Sequence, residues 1–314
     1  MGPIAVVGAG GFVGGRLVQH LRQTGADVVP ISRHPCPWLG EGNIALDLIE
    51  EPASAVDRAI AGAAVVVDLV GHNEVVAATE PERALTETVT MSHRLAEAMH
   101  RNGTPRVVYL SSVHVYGAAL EPAAVITENT VPRPRSGYAI ARLTSEHVLA
   151  SRLAGAADVV VLRLTNSVGA PASPELDRWT ALVNDLCRQA AHSGRLVLNS
   201  PGLQQRDWAS LGDACGAIEA ACHPTTVPAG TYNLGSGVSK SVRAMAELVA
   251  DAWEATTQER PLIEAPTARE AAPEPYQVDI QRLASLGIRL DTPIATAVAE
   301  MVKFCLVHRN RLTR

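Results

Sequence analysis

The sequence predicts an α/β protein whose first half forms a doubly wound parallel sheet. Short apolar runs alternate with amphipathic stretches over this half, and a glycine-rich turn joins the first run to the first amphipathic stretch. Residues 63–70 form a nearly continuous apolar run, which is typical of a strand buried on both faces. Because strands that alternate with helices are joined by right-handed crossovers, the sheet they form is parallel.

The elements of the first half follow one another in a regular order. Each predicted strand is a short apolar run, and the predicted helices carry apolar residues three and four positions apart. In chain order, we predict strand 4–7, helix 12–24, strand 26–31, a weak helix at 56–62, strand 63–70, helix 81–102, strand 106–110, helix 138–153 and strand 158–164.

After about residue 165 the pattern becomes irregular, which predicts a smaller α+β part. In chain order, we predict a loop at 171–174, helix 178–192, strand 195–199, helix 211–222, strand 230–234, helix 242–253 and a final helix at 293–307. Residues 258–275 are rich in Pro and Glu and are expected to form loop or edge-strand structure over a ligand. We expect the basic tail, 308–314, to fray.

The composition narrows the class of protein. The 314 residues carry a formal net charge of −5, and aromatic residues make up 4% of them. A nucleic-acid binder needs a basic surface for the phosphate backbone and, for single strands, aromatic side chains on which bases stack. The composition therefore argues against nucleic acid as a partner.

The sequence indicates neither a membrane anchor nor a metal site. The cysteines have no paired short spacing, so we expect reduced packing thiols and no metal centre. The chain starts directly on an apolar strand, without a basic leader or an apolar span long enough to cross a bilayer. We therefore expect a cytoplasmic protein without a membrane partner.

The glycine-rich turn predicts a binding site for a dinucleotide. Gly8, Gly11 and Gly14, with Phe12 and Val13 among them, lie between the first strand and the first helix in a G-x-x-G-x-x-G spacing. Glycines let the backbone approach a pyrophosphate closely. The helix N-terminus adds free N–H groups and the positive end of its dipole.

The turn and the change of pattern after residue 165 together predict two domains. Residues 1–165 are expected to form a Rossmann-like dinucleotide-binding domain, and residues 166–314 mainly a substrate domain. The segment at about 206–232 is expected to pack back onto the first domain.

The end of the second predicted strand favours NADP(H) over NAD(H). An NAD site usually places an acid there to accept from the ribose 2′-OH, whereas this chain has Ser32 and Arg33. Ser32 can hydrogen-bond a 2′-phosphate, and Arg33 can pair with it and stack on adenine. Asp47 and Leu48, after the next short strand, are expected to flank the adenine ring.

A tyrosine and a cation lie one turn apart on the predicted helix 138–153. Tyr138 and Arg142 are separated by four positions and so share one face of that helix. A phenol, with an ordinary pKa near ~10, needs a neighbouring positive charge to act as an acid or base near neutral pH. Ser112 follows the strand 106–110, at the edge where parallel sheets bind their ligands.

Taken together, these motifs resemble the extended short-chain dehydrogenase/reductases, the NAD-dependent epimerase/dehydratase family. The group contains UDP-galactose 4-epimerase, nucleotide-sugar dehydratases and deoxysugar 4-ketoreductases. The resemblance covers nearly the whole chain: segment 205–208 is similar to the family's R-D motif, 233–237 to its N-x-G-x-G turn and 278–279 to a late Asp-containing strand. The family has lysine where this chain has Arg142, so the resemblance implies an enzyme with one altered part.

The resemblance also implies a role for each candidate residue. Tyr138 would be the general acid/base, Ser112 would hydrogen-bond the substrate carbonyl, and Arg142 would replace the lysine that binds the nicotinamide ribose. The remaining implied positions are Leu69 and Val70 at the cofactor, and His114, Asn166, Arg206 and Arg269 at a nucleotide-sugar substrate. Since members of the family often dimerise, a homodimer is expected.

Within the family, the residues favour a 4-ketoreductase. The dehydratases carry Asp-Glu after the catalytic hydroxyl, whereas this chain has Val113 and His114, so no carboxylate can protonate a leaving hydroxyl. Ser32 and Arg33 favour the exchangeable NADPH of a reductase over the tightly held NAD of an epimerase. We expect NADPH-dependent reduction of a dTDP-4-keto-6-deoxysugar in secondary metabolism. A 4-epimerase and a cofactor-binding sensor without catalysis remain alternatives.

Overall fold

The computed structural model describes residues 2–176, 178–269 and 271–312. Its main sheet has seven strands: β1 (Ile4–Val7), β2 (Val28–Ser32), β3 (Ile44–Ala45), β4 (Val65–Asp68), β5 (Arg106–Ser112), β7 (Asp158–Leu164) and β11 (Gly230–Leu234). Their order is β11-β7-β5-β4-β1-β2-β3, and every neighbouring pair is parallel. The order reverses beside β1, which is where a doubly wound sheet opens a crevice for a ligand.

The shorter strands form three small sheets. They are β6 (Val125–Ile126), β8 (Asn166–Val168), β9 (Arg195–Val197), β10 (Gln205–Ser210), β12 (Ser239–Ser241), β13 (Leu262–Glu264) and β14 (Gln277–Val278). The first sheet has the order β12-β10-β8, and the other two pair β13 with β9 and β14 with β6.

Helices cover the main sheet and build the smaller part. They are α1 (Phe12–Gln23), α2 (Ala53–Ala59), α3 (Glu74–Thr79), α4 (Pro81–Asn102), α5 (Gly137–Arg152), α6 (Leu182–Ser193), α7 (Leu211–Ala221), α8 (Val242–Thr257), α9 (Gln281–Ala284) and α10 (Ile294–Val307). Short 3₁₀ turns occur at Pro37–Leu39, Val113–Ala119 and Arg309–Arg311. No helix within the described ranges has both the length and the apolar character needed to cross a membrane.

The central strands are apolar on both faces because helices pack on each side of the sheet. In β1, Ile4 and Val6 face the core shared with α1 and α7, whereas Ala5 and Val7 face the core shared with α2, α4 and α5. A third core joins α6, α8 and α10 beside the small sheet that contains β10. The ligand crevice can therefore form between the edge of the main sheet and this third core.

The structure matches the predicted elements most closely where a strand or helix packs on the main sheet. Helix 81–102 and strands 4–7, 158–164 and 230–234 have the predicted bounds. Several bounds differ: the weak helix lies at Ala53–Ala59 and the helix predicted from residue 178 starts at Leu182, because residues 178–181 form a turn.

One prediction for the tail and one for the first half differ from the structure. The tail was expected to fray, but Arg309–Arg311 forms a turn and Leu312 is buried against the third core; residues 313 and 314 lie outside the described residues. Helix α3 was not predicted, although Asn73 caps it by accepting hydrogen bonds from the N–H groups of Val75 and Val76.

Candidate functional site

A cavity of about 710 Å³ lies at the carboxyl ends of β1, β4 and β5. The glycine-rich turn, the end of β5 and the start of α5 line one side of it, and β8, β10 and α6 contribute to the other. A second cavity of about 250 Å³ adjoins it and shares Gly8, Gly11 and Arg33 with it. Together they offer one extended crevice of a size that suits a cofactor and a small substrate.

The turn between β1 and α1 requires its glycines. Gly8 has φ of 92°, and a Cβ at Gly14 would lie 2.1 Å from the Gly8 carbonyl oxygen. Gly11 caps α1 without a side-chain hydrogen bond, and the first turn of α1 holds no acidic residue. The first N–H groups of this helix thus stay free beside the cavity, which fits the diphosphate of a dinucleotide.

The second cavity fits the adenosine end of such a cofactor. Leu46 and Leu48 line it with Met91, and Ser32 and Arg33 border it. The Ser32 hydroxyl lies 2.7 Å from the His34 carbonyl oxygen and 3.0 Å from Asn43 Oδ1, to either of which it can donate. Ser32 is thus engaged with protein acceptors, which sequence reasoning did not foresee.

Arg33 carries a partner that the sequence did not reveal. Its Nε lies 3.6 Å from Asp47 Oδ2. Partial burial of Asp47 opposes ionisation, but the N–H groups of Ile49 and Glu50 and the charge of Arg33 outweigh it and lower the pKa of Asp47. Asp47 itself does not line either cavity, whereas its partner Arg33 lines both.

Tyr138 and Ser112 reach the main cavity from two different elements. Tyr138 lies in the first turn of α5, whose start is capped by the Ser136 hydroxyl accepting from the Ala139 N–H. Ser112 ends β5, and its Oγ accepts from the His114 N–H at 3.2 Å, which leaves the hydroxyl proton to donate. The structure thus brings both hydroxyls to the same cavity.

His114 lies beside the Tyr138 phenol. The two rings meet edge to face, with centroids 6.2 Å apart and an angle of 73° between planes. Burial lowers the pKa of His114, Glu74 opposes this effect and Arg206 adds to it. A neutral imidazole at neutral pH follows, and it can exchange hydrogen bonds with a substrate without adding a charge.

Arg142 lies beneath the same phenol and is almost fully buried, at 8% exposure. Its Nη1 donates to the Val70 carbonyl oxygen at 2.7 Å and lies 3.4 Å from the Leu110 carbonyl oxygen. Its Cζ lies over the Tyr138 ring, 5.3 Å from the centroid. The guanidinium therefore keeps a fixed positive charge against the phenol, which is a cation–π arrangement.

Only some of the predicted substrate residues reach the cavity. Asn166 and Arg206 line it, and the Asn166 side-chain amide donates to the Asp207 carbonyl oxygen at 2.9 Å. Arg269 is exposed in an irregular segment and does not line either cavity. The role expected for Arg269 at the substrate therefore stays a prediction.

Other residues at the cavity were missed in the sequence. Trp208, Leu182, Arg178 and Glu74 line it. Arg178 lies 2.8 Å from Glu74, and this ion pair joins the turn before α6 to the start of α3. Trp208 falls within segment 205–208, which resembles the family's R-D motif, whereas no short motif marks Leu182 or Arg178, which reach the cavity only through the fold.

A buried carboxylate was also missed, although the sequence held a signal for it. Asp68 interrupts the apolar run of β4 and is fully buried. Burial raises the pKa of Asp68 to about 6, against the opposing effects of the Val70 N–H, Arg142 and Ser92. An ionisable residue inside a predicted core strand is the kind of exception that marks functional sites.

Comparison with known proteins places the chain among nucleotide-sugar enzymes by similarity. The model of the NAD dependent epimerase/dehydratase family matches residues 4–235. The chain is 29% identical over 267 residues to dTDP-6-deoxy-L-talose 4-dehydrogenase (NAD(P)(+)) of Kitasatospora kifunensis, covering 78% of this chain and 77% of that protein. It is 28% identical over 252 residues to GDP-6-deoxy-D-mannose reductase of Pseudomonas aeruginosa, covering 78% of each.

The fold has similar solved structures. MoeE5 in complex with UDP-glucose and NAD superposes with a TM-score of 0.82 at 26% identity, over 99% of this chain and 100% of that one. The UDP-glucose 4-epimerase of Thermus thermophilus in complex with NAD superposes with a TM-score of 0.79 at 21% identity, over 96% of this chain and 98% of that one. These likenesses support the Rossmann-like fold described above.

Proposed function

Because the chain belongs to the NAD dependent epimerase/dehydratase family, we propose that it is an NADPH-dependent ketoreductase. Its proposed substrate is a nucleotide-activated 4-keto-6-deoxyhexose. One observation carries the proposal: Ser112, Tyr138 and Arg142 meet at a cavity that the free N-terminus of α1 also borders. Arg206, on the other side of that cavity, is available to a diphosphate.

The residues have the chemistry that reduction of a ketone requires. When bound, the nicotinamide supplies a hydride to the carbonyl carbon. Ser112 donates a hydrogen bond to the carbonyl oxygen, and the Tyr138 phenol transfers its proton to that oxygen as the alcohol forms. The Arg142 cation stabilises the phenolate that this leaves, until a proton from solvent restores the phenol.

The preference for NADPH rests on Arg33. Its guanidinium borders both cavities and is 37% exposed, so it can pair with a 2′-phosphate. Asp47 holds it in place but also brings a carboxylate close to that position. The relative from Kitasatospora kifunensis is named for NAD(P)(+), which is consistent with use of the phosphorylated cofactor.

A 4-epimerase is the second candidate, and the Arg33–Asp47 pair is the observation that favours it. An arginine neutralised by a carboxylate binds a 2′-phosphate less strongly, which would suit NAD. MoeE5, at 26% identity, has been solved with UDP-glucose and NAD. A sensor that binds the cofactor without catalysis is a third candidate, since Arg142 stands where the family has lysine.

One assay separates these candidates. The purified protein is mixed with dTDP-4-keto-6-deoxyglucose and NADPH or NADH, and cofactor oxidation is followed by absorbance. We expect NADPH to be oxidised in equal amount to the alcohol formed, and Tyr138→Phe to slow kcat by about 10²–10⁴-fold while still binding NADPH. Interconversion of sugar nucleotides without net oxidation would favour the epimerase. NADPH binding without turnover of any sugar nucleotide would favour the sensor.

The quaternary structure follows as a further part of the proposal. We propose a homodimer through α4 and α5, which pack on each other and leave Leu85 and Ile140 exposed at 38% and 43%. Sedimentation of the wild type and of a variant with Ile140→Glu tests it. The variant should sediment as a monomer, and a wild type that is already monomeric would contradict the proposal.

A further inference from the structure

A group of buried polar side chains lies next to Arg142, on the side away from the cavity. Asp68 of β4, Ser92 of α4, Tyr109 of β5 and Ser145 of α5 are all buried, and none of them lines either cavity. Asp68 is the carboxylate of this group, and Tyr109 and Tyr138 are the phenols beside Arg142. Arg142 therefore stands between the cavity and a buried counter-charge.

Gly71 leaves the space that the guanidinium fills. A Cβ at this position would lie 2.9 Å from Arg142 Nη2 and 3.0 Å from Arg142 Cζ. It would also lie 3.0 Å from Thr88 Cγ2, so the added carbon could not move away from the guanidinium on that side. A planar guanidinium is wider than an ammonium, so this gap matters for arginine in particular.

Asp68 acts on Arg142 in two ways. Its Oδ1 accepts from the Val70 N–H at 3.0 Å, and the carbonyl of the same Val70 accepts from Arg142 Nη1 at 2.7 Å. Its Oδ2 accepts from the Ser92 hydroxyl at 3.1 Å, which ties it to α4. Asp68 thus fixes the peptide that holds the guanidinium and supplies a negative charge that offsets its burial.

We propose that Asp68 and Gly71 are positioning residues that adapt this site to an arginine, holding the Arg142 guanidinium over the Tyr138 ring. The role of Tyr138 as acid/base rests on the proposed function. The fit of Gly71 and Asp68 to Arg142 is independent of that function, because it depends only on contacts inside the protein. Arg142→Lys is then a loss rather than a repair, since an ammonium leaves the gap at Gly71 unfilled and makes a poorer contact with the phenol.

A double-mutant cycle of Gly71→Ala and Arg142→Lys tests the part played by Gly71. Gly71 has φ of 132°, so alanine brings backbone strain in either background. Only the steric conflict with the guanidinium disappears when residue 142 is lysine. We expect Gly71→Ala to lower NADPH affinity or kcat at least about tenfold more with Arg142 than with lysine. An equal loss in both backgrounds would overturn this part.

A second cycle, of Asp68→Asn and Arg142→Met, tests the part played by Asp68 without relying on Gly71. The charged and titratable groups that act on Arg142 are Tyr109, Tyr138 and Asp68, from β5, α5 and β4, and the His114 ring lies against Tyr138 from the turn after β5. The measurement is the ultraviolet signal of tyrosinate during a pH titration, with Tyr138→Phe subtracted to isolate Tyr138.

The cycle has a definite expected outcome. Loss of the Asp68 charge acts directly on the phenol in both backgrounds and lets it lose its proton at a lower pH, whereas a displaced guanidinium raises that pH and can do so only when Arg142 is present. We therefore expect Asp68→Asn to lower the pH of deprotonation less with Arg142 than with methionine at this position. An equal shift in both backgrounds, or a larger downward shift with Arg142, would refute the positioning role. This titration needs no substrate, so it still decides the question if the protein reduces no keto sugar and the proposed function fails.

Discussion

Replacing Asp68 by asparagine should stabilise the protein, and the gain should depend on pH. The Asp68 carboxyl is fully buried, and burial raises its pKa from 3.8 to about 6 even though the Val70 N–H, Arg142 and Ser92 favour the charged form. Asparagine has nearly the same shape. Its Oδ1 can accept from Val70, and its amide can donate to the Ser92 hydroxyl, so both hydrogen bonds have replacements.

The magnitude follows from the difference between the folded and unfolded pKa values. Since the folded pKa is raised, the stability that Asp68 contributes is full below the unfolded value of 3.8 and is lost as the pH rises through about 6. A shift of roughly 2 pKa units means that ionisation of Asp68 lowers the free energy of unfolding by roughly 3 kcal/mol at pH 8. At pH 4 the same ionisation lowers it by less than about 1 kcal/mol. Asparagine stays neutral throughout and avoids this loss.

Urea unfolding of wild type and Asp68→Asn at pH 4, 6 and 8 measures the difference. We expect the free energy of unfolding of the variant to exceed that of the wild type by an amount that grows with pH to roughly 3 kcal/mol. Asp27→Asn removes the same charge at an exposed position and should change the free energy by no more than about 0.5 kcal/mol at each pH. If the difference in the free energy of unfolding between Asp68→Asn and the wild type is constant with pH, or shrinks as the pH rises, the reasoning is refuted.

Three further predictions concern the cofactor, the substrate and the packing. Arg33→Ser should weaken NADPH binding by about 10–100-fold and leave NADH binding nearly unchanged in fluorescence titrations; an equal effect on both would argue against a 2′-phosphate contact. Arg206→Ala should raise KM for the sugar nucleotide by about 10–100-fold with little change in NADPH affinity. A variant with a lower kcat and an unchanged KM would contradict the proposed contact between Arg206 and the diphosphate. Tyr116→Phe removes a buried hydrogen bond of 2.7 Å from the Tyr116 hydroxyl to Asn233 Oδ1. The variant should have a free energy of unfolding about 1–3 kcal/mol lower in urea denaturation. An unchanged free energy would mean that this hydrogen bond does not contribute to stability.

The first half of the chain could be predicted well from the sequence because its signals are local. The turn at Gly8–Gly14, the apolar run of β7 and the full length of α4 are each contained within a short stretch. Tyr138 and Arg142 lie on one helix, and Ser112 ends a strand whose carboxyl edge must face the crevice. The second half was harder, because β8, β10 and β12 are short and partly polar and are recognisable only once they pair.

The sequence by itself determined the sheet, the glycine-rich turn and the identity of the residues that face the cavity from β5 and α5, since helix and strand periods fix which side chains share a face. Tertiary structure alone decided what surrounds them. It brought Asp68, Gly71 and the Val70 carbonyl around Arg142 from a loop and a strand far away in the chain. It also placed Arg178 in the lining of the cavity and left Arg269 outside that lining. Such contacts depend on the space and charge left by the packed backbone, and no local pattern in the sequence encodes either.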